Sequence, residues 1–287
     1  MTKDERISVW KDTVEAVKEG QYEAENGEVV ELTNQDEMVA QSVFYTQKCH
    51  PSVTEIDDDS EMHVSVENID CLNAAEKLVN AGYKTCVLNM ASFIRPGGGV
   101  TTGSGAQEED IFRRTNIYQS LFRYSSSLAD MYDLDEDGHQ YPLERTYGAI
   151  YTPHVTVFRG TSGEKYKFLN KPFQIDVVSV SAIKRPQIVG DNDINEWAKG
   201  ILKKKVCQML DIAMAHGDEA LVLGAFGCGA YATPPQPVAQ IFKSVLSSER
   251  FRRAFNEVVF AVIDDANAYR SHNPNGNYKP FKQIIEG

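Results

Sequence analysis

Two adjacent glutamates, Glu108 and Glu109, follow Gln107, and seven residues separate Gln107 from a run of three glycines, Gly97, Gly98 and Gly99. Paired carboxyls can deliver and remove protons, and glycines let the backbone approach a phosphate or a ribose with no side chain in between. At a helix start both carboxylates also gain from the helix dipole. Alone, two acids in a first helical turn are unremarkable; the glycines in front give them a function. Glu109 is the candidate general acid/base. A second glycine-bearing run follows much later, Phe226-Gly227-Cys228-Gly229-Ala230-Tyr231. Its spacing fits a loose dinucleotide fingerprint, but prolines 234, 235 and 237 occupy the stretch where that motif needs an uninterrupted helix. Cys228 has no histidine beside it in sequence, so it reads as a small structural residue rather than a nucleophile.

These residues need elements to hold them. Ile7, Trp10, Val14 and Val17 place one apolar face on a helix over residues 4–19, and Asn-Gly in "YEAENGEVVEL" marks a turn before a short strand. "EIDDDSE", residues 55–61, reads as an acidic loop separating an N-terminal extension (1–60) from a main domain (61–287). Beyond it, strands and helices alternate. "HVSVENID" is a strand, and Asp70 caps a helix that stops at Gly82. "TCVLNMAS" is an apolar strand entering the glycine loop, and "EEDIFRRTNIYQSLF" forms one helix from about Gln107. "AIYTPHVTVF", "FQIDVVSVSAI", "ALVLGAFGCG" and "EVVFAVID" are strands, with a long helix before the third and another opening after "TPPQP". Continuous apolar strands alternating with helices give an α/β sheet covered on both faces. Ligands of such sheets bind outside the carboxyl ends of the strands, where both glycine loops lie.

With 287 residues, 41 acids and 29 bases, the net charge is −12, which argues against direct binding of duplex nucleic acid. An anionic ligand would have to be met locally by backbone N–H groups. Five scattered cysteines with no Cys-x-x-Cys pair suit a reducing compartment. No run approaches a membrane span, and the charged N-terminus is not a signal peptide, so a cytoplasmic protein is expected. "DLDEDGHQYPLE" satisfies a calcium-loop pattern at Asp133, Asp135, Asp137, Gly138 and Glu144. Gln140 stands where an aliphatic residue belongs and Pro142 follows, so it reads as an acidic surface turn; no metal or cofactor is expected.

Three glycines followed by Gln107-Glu108-Glu109 resemble the signature of the poly(ADP-ribose) glycohydrolases. The N-terminal helix, "GQYEAENGEVVEL", "YTPHVTVFRG" and "LVLGAFGCGAY" resemble further stretches of the microbial-type members. That resemblance implies a macrodomain, a three-layer α/β/α sandwich with a mixed central sheet, carrying an N-terminal helical extension. It implies a pocket holding ADP-ribose between the two glycine loops, with poly(ADP-ribose) or an ADP-ribosylated protein as partner and ADP-ribose as product. In the implied mechanism Glu109 protonates the leaving ribose hydroxyl and then activates water, Glu108 orients the ribose, and Gln107 holds the loop. The second loop wraps the pyrophosphate, and Tyr231, where phenylalanine is usual, packs on the distal ribose. Asn89 and Ser92 stand at the ends of the run that reads Asn-Ala-Ala-Asn in simple macrodomains, Ser92 in place of the second asparagine, and are expected at that ribose. Other readings are a mono-ADP-ribosyl hydrolase acting on protein or nucleic-acid ends, a silent ADP-ribose reader, and, more distantly, a nicotinamide-dependent oxidoreductase.

Overall fold

The computed structural model describes residues 1–49, 51 and 61–287. The acidic stretch expected to bound the extension lies, apart from Glu61, outside the described residues.

Helix α1 (Lys3–Glu19) opens on a capping box between Thr2 and Glu5 and closes on Gly20 at φ 70°, so both ends satisfy their unpaired backbone groups locally. It buries Trp10, Thr13, Ala16 and Val17. Strands β1 (Gln21–Glu23) and β2 (Val29–Glu31) form a small hairpin, helix α2 (Gln35–Ala40) follows, and β3 (Val43–Tyr45) joins the main sheet at its edge. After β4 (His63–Glu67), Asp70 Oδ1 accepts from the N–H groups of Leu72 and Asn73 and starts α3 (Cys71–Asn80). Strand β5 (Thr85–Met90) then leads into the glycine loop.

The helix expected across "EEDIFRRTNIYQSLF" is broken. Helix α4 (Gln107–Arg114) ends where Thr115 turns extended and bridges to Val157, while Asn116 Oδ1 accepts from Thr156 N. A distant strand thus outcompetes helix continuation. The chain resumes as α5 (Tyr118–Leu121) and α6 (Ser126–Tyr132). These turns wrap Trp10, whose ring lies 5.5–6.3 Å from those of Phe112, Tyr118, Phe122 and Tyr132, so the extension and the main body share one core.

Strands β6 (Ala149–Arg159) and β7 (Phe168–Val180) pair antiparallel; a minor hairpin, β8 (Ile188–Val189) and β9 (Asp193–Ile194), precedes helix α7 (Glu196–Ala215). Strand β10 (Ala220–Leu223), helix α8 (Pro235–Leu246), β11 (Glu257–Ala261) and α9 (Tyr278–Ile285) complete the chain. Strand β10 stops at Leu223, so "GAFGCG" is loop. Helix α8 begins earlier than expected, taking Pro235 and Pro237 into its first turn, where their missing N–H groups cost nothing.

The main sheet has the order β3-β6-β7-β5-β10-β11-β4, antiparallel at β3/β6 and β6/β7 and parallel from β7 onward. Val87, Val177 and Val222 face one core with α1, α3 and α4, while Leu88, Val178 and Leu221 face another with α7, α8 and α9. This is a three-layer α/β/α sandwich on a mixed sheet. Among the described residues no helix is long and apolar enough to cross a membrane.

Candidate active site

The site is assembled from the end of β5 outward. Gln107 occupies the first position of α4, and its amide grips the strand end. Its Oε1 accepts from Met90 N at 2.9 Å, and its Nε2 donates to Leu88 O at 2.6 Å. That pair of bonds extends the strand's ladder into a side chain and fixes where the helix begins.

The two glutamates point back at the loop they follow. Glu108 accepts from Ser92 N at 2.8 Å and from Gly97 N at 3.0 Å; Glu109 accepts from Gly99 N at 2.8 Å and from Ala106 N at 2.9 Å. Four backbone donors thus converge on two buried carboxyls. Gly98 lies between them: a Cβ added there would stand 2.5 Å from Glu109 Oε1 and 2.9 Å from Glu108 Oε2, and its φ is +51°. Gly98 is required by the glutamates themselves, before any ligand arrives. Gly97, at φ +72°, yields its space to Phe112 and Phe122.

Burial, reinforced by the neighbouring Glu109 charge, pushes Glu108 up to about 8 against the pull of its two N–H donors. Two carboxyls this close resist carrying two charges in a dry setting. Glu108 therefore retains its proton near neutral pH.

The glycine loop, the start of α4 and the second loop enclose a cavity of about 590 Å³ that also reaches the segment after β11. It lies outside the carboxyl ends of β5, β10 and β11. Ser92, Gly98, Gly99, Gln107, Glu108, Glu109, Gly227, Gly229, Ala230 and Tyr231 all line it. Four residues expected at the ligand do not. Asn89 is fully buried in β5, with Nδ2 donating to Ser179 Oγ; Gly97 sits behind Glu108; Phe226 and Cys228 point into the α7/α8 core. The N–H groups of Phe226 and Cys228 are spent on the carbonyls of Gly224 and Ala225, whereas those of Gly227, Gly229, Ala230 and Tyr231 have no acceptor among the described residues. The loop therefore buries alternate side chains and leaves amides for an anion.

The hydroxyl of Tyr231 accepts from Phe93 N at 2.8 Å. It ties the second loop to the first, a bond that phenylalanine could not make. Cavity residues that sequence reasoning missed include Arg6, Arg95, Asp110, Tyr166, Ile263 and Asn277. Arg95 and Asp110 flank the glycine and glutamate motifs on the loop after β5 and on α4, while the others come from the N-terminal helix, the β6–β7 turn and the segment after β11, where no motif marks them.

In the calcium-like stretch, Glu144 Oε2 is taken by Gln47 N and Asp137 Oδ1 by His139. Among the described residues no cluster of three or more His, Cys, Asp or Glu could hold a metal ion.

A second buried acidic pair lies at the opposite, amino end of the strands. Tyr151 Oη is 2.7 Å from Asp176 Oδ2 and 3.1 Å from Asp218 Oδ2, and Lys84 Nζ is 3.2 Å from Asp176. Burial and the Asp176 charge push Asp218 up to about 8. Glu108 and Asp218 thus both bind protons in the folded state that the unfolded chain releases at ordinary carboxyl values. Each contribution is complete at low pH and is lost as pH rises through about 8. Burial lowers His216, which opposes this only below its ordinary value of 6.5. Stability measured by urea unfolding is therefore expected to fall between pH 6.5 and 8, by up to about 1.4 kcal/mol per pH unit for each carboxyl. A flat or rising profile would show both acids ionised in the folded protein.

A family model described as microbial-type PARG, catalytic domain, matches residues 11–160, just over half of the chain. Among solved structures, the poly(ADP-ribose) glycohydrolase of Thermomonospora curvata superposes with a TM-score of 0.80 at 29% identity, covering 97% of this chain and 98% of that one. The same enzyme bound to the inhibitor ADP-HPD gives 0.75 at 27% identity over the same shares. The Deinococcus radiodurans glycohydrolase in complex with ADP-ribose shares the fold, with a TM-score of 0.65 at 24% identity over 90% of this chain and 98% of that one. No curated protein sequence matches. Glutamates clasped by a glycine loop, an amide-rich loop facing them and the matched family model agree: the chain belongs to the microbial-type poly(ADP-ribose) glycohydrolase catalytic-domain family.

Proposed function

We propose that the cavity hydrolyses the ribose–ribose bonds of poly(ADP-ribose) from the chain end, with Glu109 carrying the proton. The observation that supports this most is the side-by-side setting of Glu108 and Glu109 around Gly98. Glycosidases that divide the work between two carboxyls set them on opposite sides of the sugar, about 5–9.5 Å apart. Here both approach one point, so one group must act as acid and then as base. As the C1–O bond breaks, the Glu109 carboxyl gives its proton to the leaving ribose oxygen; its carboxylate then takes a proton from the water that attacks the oxocarbenium-like sugar. Glu108 shares the pair's charge and holds Ser92 and Gly97 in place.

The terminal ADP-ribose would lie between the loops, with its pyrophosphate on the amides of Gly227, Gly229, Ala230 and Tyr231 and its distal ribose beneath Tyr231. Ser92 and Gly99 would border that ribose. Asn89, Phe226 and Cys228 would support the loops from behind. The cysteines are unpaired in the structure, which suits a reducing, cytoplasmic setting. The N-terminal extension, residues 1–60, would pack on the main domain, residues 61–287, through the aromatic cluster around Trp10.

Because affinity must come from contacts at one unit, lengthening the polymer is expected to tighten binding only weakly. Salt should weaken it far less than it weakens a basic nucleic-acid binder. Incubation with polymer of defined length and with a mono-ADP-ribosylated peptide, products resolved by mass, tests the reading. Free ADP-ribose should dominate the early products from polymer. Long internal fragments, or affinity that climbs with every added unit, would mean that the groove reads the chain along its length.

A further inference from the structure

We propose that Arg6, from the N-terminal helix, is a specificity residue that binds a phosphate of the departing polymer and so favours polymer over ADP-ribose attached to a protein. The inference rests on the glycohydrolase reading above. Contacts across the cavity run in order. Tyr231 Oη meets Phe93 N; Ser92 N meets Glu108; Glu108 and Glu109 flank Gly98; Glu109 meets Ala106 N. Next to Ala106, the Arg6 guanidinium packs on Gly105, where an added Cβ would stand 3.2 Å from its Cζ. Tyr231 and Arg6 therefore lie at opposite ends, with the reacting pair between them. If the terminal unit occupies the Tyr231 end, the group beyond Glu109 is the one that leaves.

Two glycines exist for this approach. At Gly103 a Cβ would stand 2.5 Å from Lys3 O, and at Gly105 it would press the guanidinium itself. Arg6 Nε donates to Gly103 O at 2.7 Å and Nη1 to Met1 O at 3.3 Å, its partners among the described residues. Both are carbonyls, which orient the guanidinium without neutralising it. The two arginines of α4 cannot substitute. Arg113 is fully buried and donates to the carbonyls of Arg6, Ser104 and Glu109, and Arg114 is paired with Asp70 and Asp110. Asp110, which also lines the cavity, is held by Arg114 and by the Tyr166 hydroxyl. Arg95, from the loop after β5, is the other guanidinium named among the cavity's lining residues; in a protein of charge −12 such a group gains little at long range. It gains most from direct, charge-assisted contact with a phosphate oxygen. The polymer carries phosphates beyond the scissile bond; a modified serine carries none.

The test compares Arg6→Gln and Arg6→Lys with the wild type on polymer and on a serine-linked mono-ADP-ribosylated peptide, alongside calorimetry with ADP-ribose and a melting curve. The kcat/KM on polymer should fall about tenfold more than that on the peptide in Arg6→Gln, the loss of one charge-assisted hydrogen bond. The gap should narrow in about 0.5 M salt, and Arg6→Lys should recover part of it. If the wild type leaves the peptide uncut, the same split is read between polymer kcat/KM and ADP-ribose affinity. Equal losses on both substrates, weakened ADP-ribose binding, or no loss on polymer would overturn the proposal while leaving the glycohydrolase reading intact. A wild type that binds ADP-ribose and cleaves nothing would end both.

Discussion

Replacing Glu109 with glutamine is expected to lower hydrolysis of poly(ADP-ribose) by at least about 10²–10⁴-fold while ADP-ribose still binds. The amide cannot give or take the proton, yet it keeps the length of the side chain and can still accept from one of Gly99 N and Ala106 N. One lost acceptor costs about 1–3 kcal/mol locally, and it falls on the loop rather than on the second loop's amides. Binding and rate should therefore separate: affinity by calorimetry changes little and single-turnover cleavage collapses. The pH profile adds a second readout. With Glu108 pushed up to about 8 beside Glu109, Glu108 loses its proton as pH rises through that value, and wild-type kcat should fall there. Residual cleavage by the variant should not follow that limb. If Glu109→Gln keeps more than about a tenth of wild-type activity, the proton travels by another group, and Glu108 becomes the candidate.

What the sequence disclosed and what it hid follow from the range of the forces involved. Asp70 was legible as a cap because its partners are two and three residues away. The glutamate pair was legible because the glycines it clasps lie only about ten residues upstream. The end of α4 was not legible. Thr115 leaves the helix to meet Val157 on a strand more than forty residues on, and no local preference records that. Asn89, Phe226 and Cys228 were misplaced for a different reason. Asn89 lies in a strand packed on both faces, where alternation does not say which side chains meet the cavity and which meet the core, and Phe226 and Cys228 lie in a loop whose inward residues only the packing against α7 and α8 decides. Gly103 and Gly105 meet Lys3 and Arg6, which approach from a helix about a hundred residues earlier, and no local pattern records that. Tyr231 carried its information in one atom: the added hydroxyl signals a loop-to-loop bond only when Phe93 N is seen opposite it.

The two glycine loops should answer substitution differently. Gly98→Val is expected to lower the melting temperature and remove hydrolysis together. The residue sits at φ +51°, which a β-branched side chain resists, and its Cβ would lie 2.5 Å from Glu109 Oε1. The glutamates would have to leave their backbone donors, so fold and chemistry fail as one. Gly229→Val should behave otherwise. An added Cβ there meets nothing closer than Asn267 Cβ at 3.8 Å, and its backbone is not left-handed. The chain should fold with an unchanged melting temperature. Its side chain would nevertheless enter the cavity beside amides that have no acceptor among the described residues, occupying space meant for ligand oxygens. Losing one charge-assisted hydrogen bond of about 1.5–3 kcal/mol weakens ADP-ribose binding by about 10–150-fold, and a steric block adds to it. Melting curves and calorimetry on both variants separate the cases. Unchanged affinity in Gly229→Val would mean that the second loop does not hold the pyrophosphate, and a large drop in its melting temperature would mean that Gly229 serves the fold instead.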